Sequence, residues 1–161
     1  MILKGIIDED FIQYKKCSMT LMFPHCSFKC DKESGLQVCQ NSALASAKDI
    51  SVSEKSIVDR YMRNKLSESI VFGGLEPLDD MEDVKNIISE FRRVTQDDIV
   101  LYTGYYENEK KFADFKEFVT QSGYGNVLAK VGRFIPDSKH RVDSILGVEL
   151  ASENQYGVII S

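Results

Sequence analysis

Four cysteines stand in the first 39 residues of a 161-residue chain, and three of them share one stretch: Cys26, Cys30 and Cys39. They follow Phe23-Pro24-His25 with the spacing Cys26-x3-Cys30-x8-Cys39. Three thiolates on one loop can hold an iron–sulfur cluster whose fourth iron stays open. Zinc competes for the same set, because soft thiolates suit it and His25 would complete a Cys3His shell. A blander reading is chance clustering of small, buryable side chains. The spacing by itself leaves cluster and zinc both open, although structural zinc pairs more often have two intervening residues than three.

The chemistry depends on the thiols being reduced. The N-terminus, MILKGIIDED, turns acidic before an apolar signal core can form, so a secretory route is not expected and a cytoplasmic location is. No run of about 18 apolar residues is present, so no membrane span is expected. Lys+Arg 20 against Asp+Glu 25 gives a net charge of -5, which does not recommend nucleic acid as a partner. With 43% hydrophobic and 28% charged residues, residues 1–161 read as a single soluble domain.

The elements that must position the cysteines alternate between two periods. Met19–Phe23 reads as a first strand leading into the cysteine loop. Residues 54–66 place Ile57, Val58, Tyr61, Met62 and Leu66 on one helical face, with Ser53 as N-cap. The apolar run Ile70-Val71-Phe72 stops at Gly73-Gly74. A second helix over 80–94, entered through Asp79-Asp80, carries Met81, Val84, Ile87, Ile88 and Phe91. Ile99–Tyr102 then ends at Thr103-Gly104, and a third helix near 107–121 carries Phe112, Phe115, Phe118 and Val119 at core spacing. Val127–Val131 ends at Gly132, and Ile145–Leu150 is a further candidate strand.

Continuous apolar runs between helices predict parallel strands covered on both faces, an α/β fold with right-handed crossover helices. In such sheets ligands gather outside the carboxyl ends of the strands. That singles out the Gly73-to-Pro77 turn, Thr103-Gly104 and Gly132-Arg133.

The cysteine loop leaving the first strand, paired with Gly73-Gly74-Leu75-Glu76-Pro77 after the second, resembles the radical S-adenosylmethionine (SAM) superfamily. Within it, the segments 71–78, 100–105, 130–134 and 150–155, with Cys39-Gln40-Asn41-Ser42, look like the anaerobic ribonucleoside-triphosphate reductase activating proteins. The resemblance runs in one order from about residue 17 to residue 156. This chain departs from the superfamily pattern in three places. Eight residues, Asp31 to Val38, separate the last two cysteines where two are usual; Val38 replaces an aromatic residue; and Leu75 is an extra residue before Glu76. The long gap is expected to be a flexible segment that bends at Gly35.

The resemblance implies a single radical-SAM-like domain, a partial (β/α) barrel. It implies a [4Fe–4S] cluster on Cys26, Cys30 and Cys39, with SAM chelating the open iron. Gly73 and Gly74 would meet the SAM amino group, and Glu76 would offset its charge. Thr103 would bond a ribose hydroxyl or the carboxylate, which Lys130 or Arg133 would also meet. The implied activity is an oxidoreductase one, installing a glycyl radical on the large subunit of anaerobic ribonucleotide reductase. Its electron would come from a flavodoxin or ferredoxin. No protein-side catalytic acid or base is implied, since the cofactors carry the chemistry. The alternatives are a radical SAM enzyme acting on a small molecule and a non-catalytic zinc or iron–sulfur module. Cys17, before the first strand, reads as a free thiol, His25 as a neighbour of the cluster and His140 as a loop residue; Asn154 and Gln155 have no assigned contact.

Overall fold

Neighbouring residues on a strand face opposite sides of a sheet, so an uninterrupted apolar run must be buried twice. A computed structural model, which describes residues 1–161, shows how this chain does it. In chain order its elements are β1 (Ile2–Leu3), β2 (Gly5–Asp10), β3 (Ser18–Phe23), α1 (Lys29–Ser34), β4 (Ile50–Ser51), α2 (Glu54–Arg63), β5 (Ser69–Gly74), α3 (Met81–Arg92), β6 (Asp98–Tyr102), α4 (Lys110–Ser122), β7 (Val127–Val131), β8 (Arg141–Asp143), β9 (Val148–Leu150) and β10 (Tyr156–Ile159). Short 3-10 turns occupy Ser42–Ser46 and Pro77–Asp80.

The central sheet has the order β10-β7-β6-β5-β3-β2. β3, β5, β6 and β7 are parallel, and β2 and β10 close the edges antiparallel. The fold is therefore α/β, with a mostly parallel sheet and crossover helices, as expected. In register, Met22 faces Gly73, Phe23 faces Gly74 and Tyr102 faces Lys130, so the carboxyl ends of four strands finish side by side. β1 pairs with β4, and β8 with β9, as separate two-stranded ribbons.

All three long helices cover one face of the sheet. Ile57 and Tyr61 of α2, Ile87 and Phe91 of α3, and Phe112 and Phe115 of α4 pack with Leu21, Phe72, Leu101 and Ala129 from the strands in one core. Each fully buried side chain of this size contributes roughly 1.5–3 kcal/mol. Ser53 caps α2 by accepting from Ser56 N–H, as its position predicts. The opposite face departs from the expectation of helices on both sides. Val71, Val100 and Leu128 are covered by Tyr14, Leu146 and Leu150, from the segment before β3 and the β8–β9 ribbon. These cover the middle of the sheet and leave the carboxyl ends of the strands open as a cavity.

Three local expectations are corrected, and two edge strands are added. Met62 and Leu66 are 51% and 59% exposed, because α2 ends at Arg63 and presents only Ile57, Val58 and Tyr61 inward. Ile145–Gly147 forms the turn between β8 and β9, and only Val148–Leu150 is strand. β2 and β10 are strands that no continuous apolar run announces. The segment after Cys30 is helical through Ser34 rather than flexible, and Gly35 ends α1 in the left-handed region at φ 71°.

Candidate functional site

One cavity of about 240 Å³ gathers the residues singled out above. Cys26, Cys30, Cys39, Gly73, Gly74, Leu75, Glu76, Thr103 and Lys130 all line it. Its opposite wall comes from the face of the sheet that no helix covers, with Thr20, Val71 and Tyr102. Cys17 lies outside it, at the start of β3, where its carbonyl accepts from Glu68 N–H. His25 also lies outside. Its ring is 66% exposed and its Nδ1 sits 2.5 Å from Asp80 Oδ1, so it supplies no fourth donor beside the thiols. His140 pairs with Glu149 at 2.6 Å on the surface.

The cysteine loop is held by carboxylates rather than by packing. Asp79 accepts from Ser27 N–H at 2.6 Å and from Tyr105 Oη–H at 2.7 Å, and it pairs with Lys111. Glu109 accepts from Lys29 Nζ at 2.6 Å, from Arg133 at 2.7 Å and from Tyr106 N–H at 2.9 Å. Burial alone would raise the Glu109 pKa, but these partners hold it down at about 2. The backbone adds Glu76 N–H to His25 O at 2.7 Å and Leu75 N–H to Phe23 O at 3.1 Å, joining the glycine turn to the cysteine loop. After Cys39, Asn41 Nδ2 donates to Gly74 O at 2.7 Å, which docks the third cysteine's segment on the same turn.

Glu76 is 5% exposed, and both its oxygens are engaged. Oε1 accepts from Leu78 N–H at 3.1 Å and Thr103 Oγ1 at 2.8 Å, and Oε2 from Gly104 N–H at 2.8 Å. Desolvation raises its pKa to about 7 against the opposing pull of these donors. Glu76 thus ties the end of β5 to the end of β6, and the Thr103 hydroxyl is spent on that tie. Burial pushes the Lys130 pKa down to about 8, with the charges of Glu76 and Cys30 opposing it; its Nζ donates to Gly132 O at 3.0 Å. Arg133 is outside the cavity, paired with Glu109. Gln155 lines the cavity beside Lys130 and donates to Gly132 O at 3.3 Å, while Asn154 Nδ2 donates to Arg133 O at 2.9 Å.

The donor set fits a cluster better than a single zinc ion. Thiolates around one zinc, at about 2.3 Å each in a tetrahedral shell, must converge on one point. No three His, Cys, Asp or Glu side chains here converge in that way. Thiols that each meet a different iron need only share a cavity wall, as these do. Burial pushes the Cys26 thiol up to about 12 and raises Cys39 as well, partly offset by N–H donation from Phe28 and Asn41. Both are protonated in the metal-free chain, so loading must release protons.

Residues 15–148 match the family model of the 4Fe-4S single cluster domain, and the chain belongs to that family. It is a 4Fe–4S cluster-binding domain. Comparison with curated proteins and with solved structures gives no match. No helix of the chain is long and apolar enough to cross a membrane.

Asp79 and Glu109 escape a reading of the sequence: each is a common residue in a polar stretch, and only the fold brings it to the cysteine loop.

Proposed function

We propose that this cluster domain is a radical SAM enzyme, the activating protein of anaerobic ribonucleotide reductase. The observation that carries this reading is one cavity that unites three thiols with the Gly73–Glu76 turn at the carboxyl ends of parallel strands. A cluster alone needs only the thiols, whereas the glycine turn, Lys130 and the open wall offer room and charge for an organic cofactor. Residues 1–161 act as one radical-SAM-like domain.

Cys26, Cys30 and Cys39 hold the cluster, and Gly73 keeps the cavity wall free of a side chain beside it, while Gly74 lets the turn pass against β3. Lys130 presents a half-buried cation for a carboxylate, and Glu76 with Thr103 holds the two strand-end turns in register. With cluster and SAM bound, the site would supply one-electron reductive cleavage of SAM and, through it, hydrogen-atom abstraction. The electron would come from a flavodoxin or ferredoxin, and the hydrogen donor would be a glycine in the reductase large subunit, left as a glycyl radical. The cavity lies open at the strand ends, which suits a protein loop as the substrate.

Anaerobic reconstitution is expected to give about four irons per chain. The reduced, loaded protein should cleave SAM to methionine and 5′-deoxyadenosine and, mixed with the reductase, give a glycyl-radical EPR signal. Iron without SAM binding or cleavage returns the chain to a cluster module. SAM cleavage without the protein radical removes the reductase as partner. One tight zinc and no cluster overturns the whole reading.

A further inference from the structure

Cys39 lies nine residues beyond Cys30, and the chain between them has almost nothing to hold it by packing. No residue of α1 is buried, and Leu36, the bulkiest apolar side chain of the segment, is 70% exposed. A six-residue helix is far below the length that is stable alone. Ser34 Oγ ties Asp31 O to Leu36 and Glu33 pairs with Arg133 at 3.2 Å, but the side chain that reaches Cys39 is Asp31. Asp31 Oδ1 accepts from Val38 N–H and from Cys39 N–H, each at 2.8 Å. The Asp31 carbonyl accepts from Gly35 N–H at 2.9 Å, which ends α1 and turns the chain back. Asp31 is adjacent to Cys30, so its carboxylate links the backbone of the second cysteine directly to that of the third.

We propose that Asp31 is a positioning residue for the cluster: a carboxylate clasp that sets Cys39 against Cys30 across the eight-residue gap. Hydrogen bonds to a charged acceptor are shorter and stronger than neutral ones. Both bonds fall on one oxygen, so removing that carboxylate frees the Val38 and Cys39 N–H groups together. Asn41, bonded to Gly74 O, anchors the chain beyond Cys39 and stays in place when the clasp is cut.

The inference rests on the three cysteines sharing one cluster, and it is tested with and without iron. The variants are Asp31→Ala and Asp31→Asn; the asparagine oxygen can still accept both N–H groups. In the metal-free chain, Asp31→Ala should keep the wild-type circular dichroism and melting curve. Its Cys39 should be alkylated about tenfold faster, with Cys26 unchanged. After reconstitution, Asp31→Ala should lose most of its iron. Asp31→Asn should retain it and show the wild-type EPR signal of the reduced cluster. Wild-type alkylation and iron content in Asp31→Ala would falsify the clasp. Global unfolding of Asp31→Ala also overturns it, because a local clasp in an exposed segment cannot carry the fold. If the wild-type chain itself forms no cluster, the cluster reading fails, and the alkylation contrast still decides the clasp.

Discussion

Gly73 and Gly74 are neighbours with different duties. A Cβ on Gly74 would lie 2.7–2.9 Å from Met22 Cα, Met22 C and Phe23 N, and its φ is +83°, a region that favours glycine. It would strike the β3 backbone, which cannot give way. A Cβ on Gly73 meets only Tyr102 Cβ at 3.8 Å, with the cavity beside it. Gly74→Ala is therefore expected to cost the metal-free chain at least about 2 kcal/mol in urea unfolding, a strained backbone adding to the clash. Gly73→Ala should leave that stability within about 0.5 kcal/mol. On the proposed function, Gly73→Ala raises the SAM dissociation constant about tenfold, or about 1.4 kcal/mol. Equal destabilisation by the two variants would contradict this division of labour, and unchanged SAM affinity in Gly73→Ala would move the cofactor off the turn. The pair also shows what a sequence can carry at this scale. The glycine turn and the cysteines were legible as types and spacings, because their chemistry depends on those. That Gly74 is glycine because β3 passes beside it, and that Thr103 spends its hydroxyl on Glu76, are three-dimensional facts with no local signature.

At the scale of elements, helical periodicity located α2, α3 and α4, and the parallel strands between them, because long amphipathic segments repeat their signal. α1 escaped because it is one and a half turns long with no buried face, so no hydrophobic pattern marks it. What holds α1 against the body is charge: Lys29 meets Glu109 at the start of α4, and Glu33 meets Arg133, which Glu109 also holds. This tether has a pH signature. The Glu109 carboxyl goes from an ordinary value of 4.5 to about 2 in the folded chain. A depressed folded pKa means stability that is present above about pH 4.5 and lost as pH falls toward 2. A fall from 4.5 to about 2 corresponds to at most about 3–4 kcal/mol, reduced by solvent screening near the surface. Other carboxylates also titrate in this range, so the readout is a difference. Between pH 5 and pH 2.5, roughly the window just named, the urea midpoint of the metal-free wild type should fall further than that of Glu109→Gln. Parallel curves for the two proteins would show that the tether adds no stability.

At the scale of the whole molecule, the fold separates what makes it stable from what makes it reactive. The three long helices and one face of the sheet bury a continuous apolar core that includes Phe23, Phe72, Phe91, Phe112 and Phe115 at 0% exposure. The cysteines are all only partly buried, and they sit on a loop that contributes no residue to that core. Many small metal domains are unfolded without their metal because the metal is their core. This chain should behave in the opposite way. The metal-free variant carrying Cys26→Ala, Cys30→Ala and Cys39→Ala is expected to keep the wild-type circular dichroism and to melt within about 3 °C of the metal-free wild type, a shift of about 1 kcal/mol for a chain of this size. Phe91→Ala is the contrast. Its ring packs edge-on to Tyr61 at 4.7 Å, and removing a buried phenylalanine costs about 3–5 kcal/mol. At roughly 2–4 °C per kcal/mol, that lowers the melting temperature by about 6–20 °C. It should leave iron loading per folded chain unchanged, since α3 contributes no cavity-lining residue. Collapse of the triple cysteine variant, or loss of iron in folded Phe91→Ala, would show instead that core and site are one cooperative unit.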